Sequence, residues 1–348
     1  MKHKIYRIVY TALCCAPLLA TAQTSEKITS PQRLYEEGRN LFQQKAFAAV
    51  MSPLHTFVKQ INAEGNPLSA AGDKEEAEYM LVCAEYELRS PNSIELLRSY
   101  LDVYPDTPHA NRIYALIASA YFFEGKYDEA LAMFNSARLD LLSNEERDDM
   151  TYRLATCFLK TGNVKEAAIW FETLRSTGSK YAADCTYYLS YIRYSQQRYE
   201  DALSGFLSLQ DNTKYKTLVP YYIAEIYLIK KNYDKAEIVA QNYLSAYPNQ
   251  KYTGEMYRIQ GTADYYSGKY HEAAEAFNRY LKDNVESTRR RDALYMLGMS
   301  YYQTGVYSQV PVILGEVTTD NDALTQNAYL HMGLAYLQLA DRNKARMA

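Results

Sequence analysis

The residues able to do chemistry are few, and their spacing works against it. His271-Glu272 opens "HEAAE", the first half of a zinc-peptidase helix motif. There two imidazoles one turn apart hold the metal, and the intervening Glu activates water. Glu275 stands where the second imidazole belongs, so the stretch reads as the solvated face of a helix. The other histidines, at 3, 55, 109 and 331, are scattered and predict no ligand cluster. "STGSK" at 176–180 has the tail of a phosphate-cradling loop without its spaced first Gly or preceding strand, and reads as a helix–helix connection. Cys83, Cys157 and Cys185 are too widely spaced for a metal pair and read as small buried apolar residues. No G-x-S-x-G occurs. "RRR" at 289–291 reads as a solvated run or a contact for an acidic partner. The expectation is a chain with no catalytic residue, no metal and no cofactor.

The information lies instead in a period. Ala130, Ala167, Ala202, Ala236, Ala273, Val310 and Ala345 follow one another at intervals of 34 to 37 residues. Twelve residues before each sits a small residue: Ala118, Ala155, Ser190, Ala224, Gly261, Gly298 and Gly333. Four residues after it stand Phe134, Phe171, Phe206, Ala240, Phe277 and Leu314. Each unit holds two apolar patterns of helical period around a polar turn such as "EGK", "TGN" or "SGK". Gly125, Gly162, Gly268 and Gly305 are placed to end the first helix in the left-handed conformation. The small residue of one helix then faces the Ala of the next, letting the axes approach to about 8–10 Å, while the aromatics fill the groove beside the crossing.

Large–small–aromatic followed by Ala and aromatic resembles the tetratricopeptide repeat, best in "YALIASAYFFEGKYDEALAMF", "TYRLATCFLKTGNVKEAAIWF" and "LYMLGMSYYQTGVY". The resemblance implies an all-α, right-handed α-solenoid of stacked antiparallel helix pairs. A divergent first repeat is expected over 31–62, a loop over 63–73, and an array over 74–348 with repeats two to eight complete and the ninth truncated. The ninth stops as its second helix begins, leaving Met332, Leu334 and Tyr336 without a cover, so more chain is expected after Ala348. The aromatic slot of the first helix holds Arg193 and Asp264 in two units. A lone buried charge costs several kcal/mol. Either those helices turn by one residue and present Tyr194 and Tyr265, which is the expectation, or the two charges are partnered.

Of the 348 residues, 48% are hydrophobic and 23% charged, which suits a folded chain. Tyrosine is over-represented, at 36 residues against 10 Phe and one Trp. Its ring can be buried while its hydroxyl stays wet, as a thin structure requires. The first 22 residues read as a secretory leader, with Lys2, Lys4 and Arg7 before an apolar run and Ala20-Thr21-Ala22 as cleavage site, followed by a linker over 23–30. Cys14 and Cys15 leave lipid anchoring open. No later stretch suits a membrane span. Removing Lys2, Lys4 and Arg7 takes the formal charge from −3 to −6, which argues against nucleic acid.

In the family, first helices line a concave face that binds peptides or extended segments. Carried over, the inward positions are Ala115, Ser119, Phe122, Tyr152, Thr156, Leu159, Tyr187, Tyr191, Tyr194, Tyr221, Glu225, Leu228, Arg258, Thr262, Tyr265, Tyr295, Met299 and Tyr302. Tyr152, Tyr187, Tyr191, Tyr194, Tyr221, Arg258, Tyr265, Tyr295 and Tyr302 are the candidate partner-binding residues. Tyr offers large contact area at low entropic cost. The alternative is that several of these rings only complete packing between repeats. The Lys/Asn pair with which one subgroup clamps a terminal carboxylate is missing from these positions. With the leader, "YPDTPHANRIYALIASAY" resembles envelope-assembly repeat proteins of Gram-negative bacteria, which implies an exported, non-catalytic scaffold for protein or peptide partners at the periplasm or outer-membrane periphery. Its rivals are the input region of a signalling protein and the repeat arm of an enzyme whose catalytic domain follows residue 348.

Overall fold

The computed structural model describes residues 30–63, 71–283 and 289–348. The leader, Cys14 and Cys15, most of the linker and residues 64–70 of the loop lie outside them. Among the described residues every regular element is helical, and the helices come in nine consecutive pairs. They fall into two compact units, one ending at Thr107 and one starting at Pro108.

The first unit comprises α1 (Pro31–Gln43), α2 (Phe47–Ala63), α3 (Ala71–Glu87) and α4 (Ser93–Val103). Its core is Val50, Leu54, Phe57, Met80, Ala84, Leu97 and Tyr100. Gly38 lets α1 lie directly on Leu54; a Cβ there would stand 2.2 Å from Leu54 Cδ2. The connection is shorter than the loop expected over 63–73. Helix α2 keeps Ala63, and α3 already includes Ala71, Gly72 and Asp73. Asp73 favours that earlier start, since a carboxylate in a first turn is stabilised by the helix dipole.

The second unit stacks seven pairs: α5 (Ala110–Phe123) with α6 (Tyr127–Ser136), α7 (Asn144–Lys160) with α8 (Val164–Ser176), and α9 (Ala182–Ser195) with α10 (Tyr199–Ser208). Then come α11 (Val219–Ile229) with α12 (Tyr233–Ala246), α13 (Thr253–Tyr266) with α14 (Tyr270–Asp283), α15 (Arg290–Gln303) with α16 (Val310–Gly315), and α17 (Ala323–Gln338) with α18 (Arg342–Met347). Ala118, Ala155, Ala224, Ala130, Ala167, Ala202, Ala236 and Ala273 are completely buried, and so are Phe171, Phe206 and Phe277. Phe134 is 4% exposed. A Cβ on Gly298 would meet Leu314 Cδ2 at 2.4 Å, and one on Gly261 would press on the Phe277 ring at 3.0 Å. The small residues thus mark the crossings of each pair. At the last pair the fit is looser: Ala345 is half-buried, and a Cβ on Gly333 would lie 3.5 Å from its carbonyl oxygen.

Every pair turns on one residue of positive φ. Gly125, Gly162, Gly268 and Gly305 take it as expected, at 75° to 83°. Lys45, Arg89, Gln197, Lys231 and Ala340 take it at 57° to 61° without glycine's freedom. The amide after this residue donates back across the turn to the first helix: Lys126 to Tyr121, Asn163 to Phe158, Arg198 to Arg193, Lys269 to Asp264 and Val306 to Tyr301, over 2.8 to 3.0 Å. This is a Schellman closure.

That closure overturns the expected one-residue turn of two helices. Arg193 and Asp264 accept at the same place as the aromatics Tyr121, Phe158 and Tyr301, so α9 and α13 keep the common register. Sliding Tyr265 into the slot would move Gly261 off the Phe277 ring and bring Thr262 against it. Arg193 is partly exposed and lies 3.9 Å from Glu172. Asp264 is 1% exposed, and neither carboxylate oxygen has a hydrogen-bond partner.

Candidate protein-interaction face

The inward positions sit in the odd-numbered helices of the second unit. Three of the tyrosines are occupied by the next repeat. Tyr152 of α7 stacks on Tyr181 with centroids 4.3 Å apart. Tyr187 of α9 stacks on Tyr215 at 4.9 Å, and Tyr221 of α11 on Tyr252 at 4.8 Å. Tyr181, Tyr215 and Tyr252 each precede the following first helix. Beside them Tyr188 stacks on Phe171 at 5.0 Å and Tyr222 on Phe206 at 4.9 Å. These rings therefore join repeats, and Tyr152, Tyr187 and Tyr221 are half-buried.

A polar latch that the sequence reading missed accompanies the stacks. An acid six residues before the small position accepts from the residue that opens the next first helix. Tyr181 donates its hydroxyl to Asp149 over 3.0 Å. Asp184, almost buried, accepts from both Tyr215 and Lys214. The Asp184 charge, after burial, holds the Tyr215 hydroxyl well above the usual phenol range. At Arg112 the polarity is reversed, its Nε donating to Glu146 over 2.5 Å. The recurrence of Asp149, Asp184 and Glu255 at one repeat position is the signal that would have revealed it.

At the next step arginine replaces tyrosine on both sides. Arg258 occupies the position of Tyr152, Tyr187 and Tyr221, and Arg289 that of Tyr181, Tyr215 and Tyr252. Arg258 donates to Glu225 and, over 2.8 Å, to Glu255. Arg289 reaches Glu225 at 2.6 Å and Glu255 at 3.3 Å. Two guanidiniums thus share two carboxylates. Arg258 is 8% exposed and spent inside this network, so it offers no free donor face to a partner. The expected solvated arginine run is also corrected: Arg290 pairs with Glu316 at 3.0 Å and Arg291 with Asp322 at 2.6 Å.

The network sets local charge. Burial disfavours the Arg289 cation, but Glu225 outweighs that and holds its pKa above the ordinary value. Burial, then the negative charge of Glu225, pushes the Tyr194 and Tyr221 hydroxyls up to about 12. Tyr265 is likewise raised to about 12, by burial first and then Tyr295. All three remain neutral donors at ordinary pH.

What remains accessible is a smaller set. Tyr191 is 40% exposed, with its ring edge-on to Tyr222 at 6.0 Å. Tyr194, Tyr265, Tyr295 and Tyr302 are half-buried. Tyr194 lies edge-on to Tyr199 and Tyr222, and Tyr302 to Tyr307 and His331. Ala115, Ser119, Thr156 and Met299 are buried. The face can offer aromatic edges and phenol donors, which suit apolar side chains and backbone carbonyls.

The other chemistry-bearing residues are structural. His271 and Glu275 lie 3.5 Å apart on the exposed side of α14. Among the described residues no three His, Cys, Asp or Glu side chains are grouped to hold a metal. Gly178, at φ 68°, turns the chain between α8 and α9. Cys83, Cys157 and Cys185 are buried thiols. Burial, then the charges of Asp128 and Asp184 respectively, pushes the Cys157 and Cys185 thiols up to about 12.

The tetratricopeptide-repeat family profile matches residues 116–182 and 260–308. No curated protein matches the sequence. Among solved structures, the C-terminal part of a tetratricopeptide-repeat-containing protein from Cytophaga hutchinsonii is 14% identical. The similarity covers 75% of this chain and 99% of that one, with a TM-score of 0.51. A tetratricopeptide repeat protein from Parabacteroides merdae is 16% identical, over 69% of this chain and 90% of that one, at a TM-score of 0.48. PilF of Pseudomonas aeruginosa is 16% identical, over 63% and 96%, also at 0.48. With nine helix pairs closed by the same turn and small residues at the crossings, the chain carries tetratricopeptide repeats, matched over 116–182 and 260–308.

Proposed function

We propose that this protein is an exported, non-catalytic scaffold of the bacterial cell envelope that holds protein or peptide partners on the tyrosine-bearing face of α9 to α15. The repeat family supports a protein-interaction scaffold. The observation that carries the finer reading is the contrast within the tyrosines. Tyr152, Tyr187 and Tyr221 are stacked flat between repeats, whereas Tyr191 keeps 40% of its surface open beside Tyr194.

Tyr191→Ala and Tyr302→Ala are expected to weaken capture of the native partner from an envelope extract, with helical circular dichroism unchanged. Loss of helix content, or undiminished capture, would leave these rings as packing elements. Export is read from the leader, and mass spectrometry of the mature chain is expected to find Gln23 at its N-terminus.

A further inference from the structure

The slot three residues after the small position carries an aromatic in α5, α7, α11, α15 and α17. In α15 that ring reaches the preceding second helix: the Tyr301 hydroxyl accepts from Asn278 over 2.8 Å. In α9 the slot holds Arg193, and beside it a groove of about 750 Å³ lies between α8 and α9. Its floor is Leu189 and Ile192, 4% and 3% exposed, and Ile169 stands on its wall 64% exposed.

Three cations line this groove: Lys165, Arg193 and Arg198. Arg198 is held by Asp201 at 2.5 Å. Lys165, one turn before Ile169, is exposed and has no ion-pair partner among the described residues. The single carboxylate of the lining, Glu172, is taken by Arg175 and lies 3.9 Å from Arg193. The groove is therefore positive in a chain whose formal charge is −3. An open isoleucine beside an unpaired lysine, over an apolar floor, complements an extended segment that alternates apolar side chains with carboxylates.

We propose that the α8–α9 groove binds an acidic, apolar-anchored peptide segment of a partner protein. Carboxylates would meet Lys165 and Arg193, and an aliphatic side chain would cover Ile169, Leu189 and Ile192. Leu189, Ile192 and Arg193 lie on the side of α9 away from Tyr187, Tyr191 and Tyr194, as helical spacing dictates. The groove is thus independent of the tyrosine face, and either can fail without the other.

Fluorescence anisotropy with a labelled Leu-Glu-Glu repeat peptide tests this, with a Leu-Lys-Lys repeat as counterpart. The acidic peptide is expected to bind and to weaken as salt is raised. Lys165→Glu with Arg193→Glu is expected to lower its affinity about tenfold, the effect of losing two favourable charges of about 0.7 kcal/mol each. Tyr191→Ala should leave it unchanged. Should the double variant lose helix content, Lys165→Glu alone, at an exposed position, is expected to cost about threefold. No binding of the acidic peptide, equal binding of both peptides, or affinity indifferent to the folded Lys165→Glu variant would each overturn the proposal.

Discussion

Asp264 is where a single residue departs furthest from what its surroundings favour. Its side chain is 1% exposed, both oxygens lack partners, and burial, followed by the charge of Glu237, pushes its carboxyl up to about 7. Lys269 offsets this in part, and Glu272 adds to it. Because the folded pKa exceeds the unfolded one, the fold binds a proton that the unfolded chain releases. Stability from this group is whole below the unfolded value near 3.9 and is lost as pH rises to about 7. Asp264→Asn keeps the shape without the charge. It is expected to gain about 1–3 kcal/mol at pH 8 and to flatten the pH profile between 4 and 7, measured by urea unfolding. Equal midpoints at pH 8 would show that the carboxylate is already satisfied. The opposite case is Phe171, fully buried against Tyr188 and Tyr152, where Phe171→Ala is expected to cost about 3–5 kcal/mol. An unchanged melting temperature would refute the register of α8. The two residues also mark how far a sequence can be read. Phe171 was legible because its size and period agree. The place of Asp264 was not, since the turn hydrogen bond and the fit of Gly261 on Phe277, both backbone matters, hold α13 against the preference of one side chain.

At the scale of the helix pair, the turn is the recurring device. Of the nine positive-φ positions that turn a helix pair, four were predictable from glycine and five were not, because Lys, Arg, Gln and Ala carry no such signature. A non-glycine residue in this conformation is strained by about 1 kcal/mol. Lys231→Gly and Gln197→Gly are therefore expected to stabilise by about 0.5–1 kcal/mol, and Gly162→Ala to destabilise by a similar amount, read from denaturation midpoints. A loss of stability in both glycine variants would mean that chain entropy outweighs strain at these turns. The candidate face was legible to a similar degree. The period located its odd-numbered helices, since helical spacing assigns faces. It could not distinguish Tyr187, stacked on Tyr215, from the open Tyr191, because loop residues ahead of each first helix lie outside the repeat pattern. Arg258 was misjudged for a related reason: Arg289, which shares its partners Glu225 and Glu255, sits in such a loop.

At the scale of the second unit, each pair rests on its neighbours, so stability is a sum of pair and interface terms. Amide exchange should be slowest in α8 to α12, which have stacked rings on both sides, and fastest in α17 and α18, where the Gly333–Ala345 crossing is loose. Uniform protection along the array would show that the unit opens all at once. A hydrogen bond of Arg289 breaks the nearest-neighbour rule. Arg289, at the threshold of α15, reaches past α13 to Glu225 in α11, sixty-four positions back. Drawn out from its two ends, such a stack should yield like a ladder losing rungs, until the tension arrives at this clasp. There three pairs would have to give way together, and the force trace should rise to a taller tooth before falling.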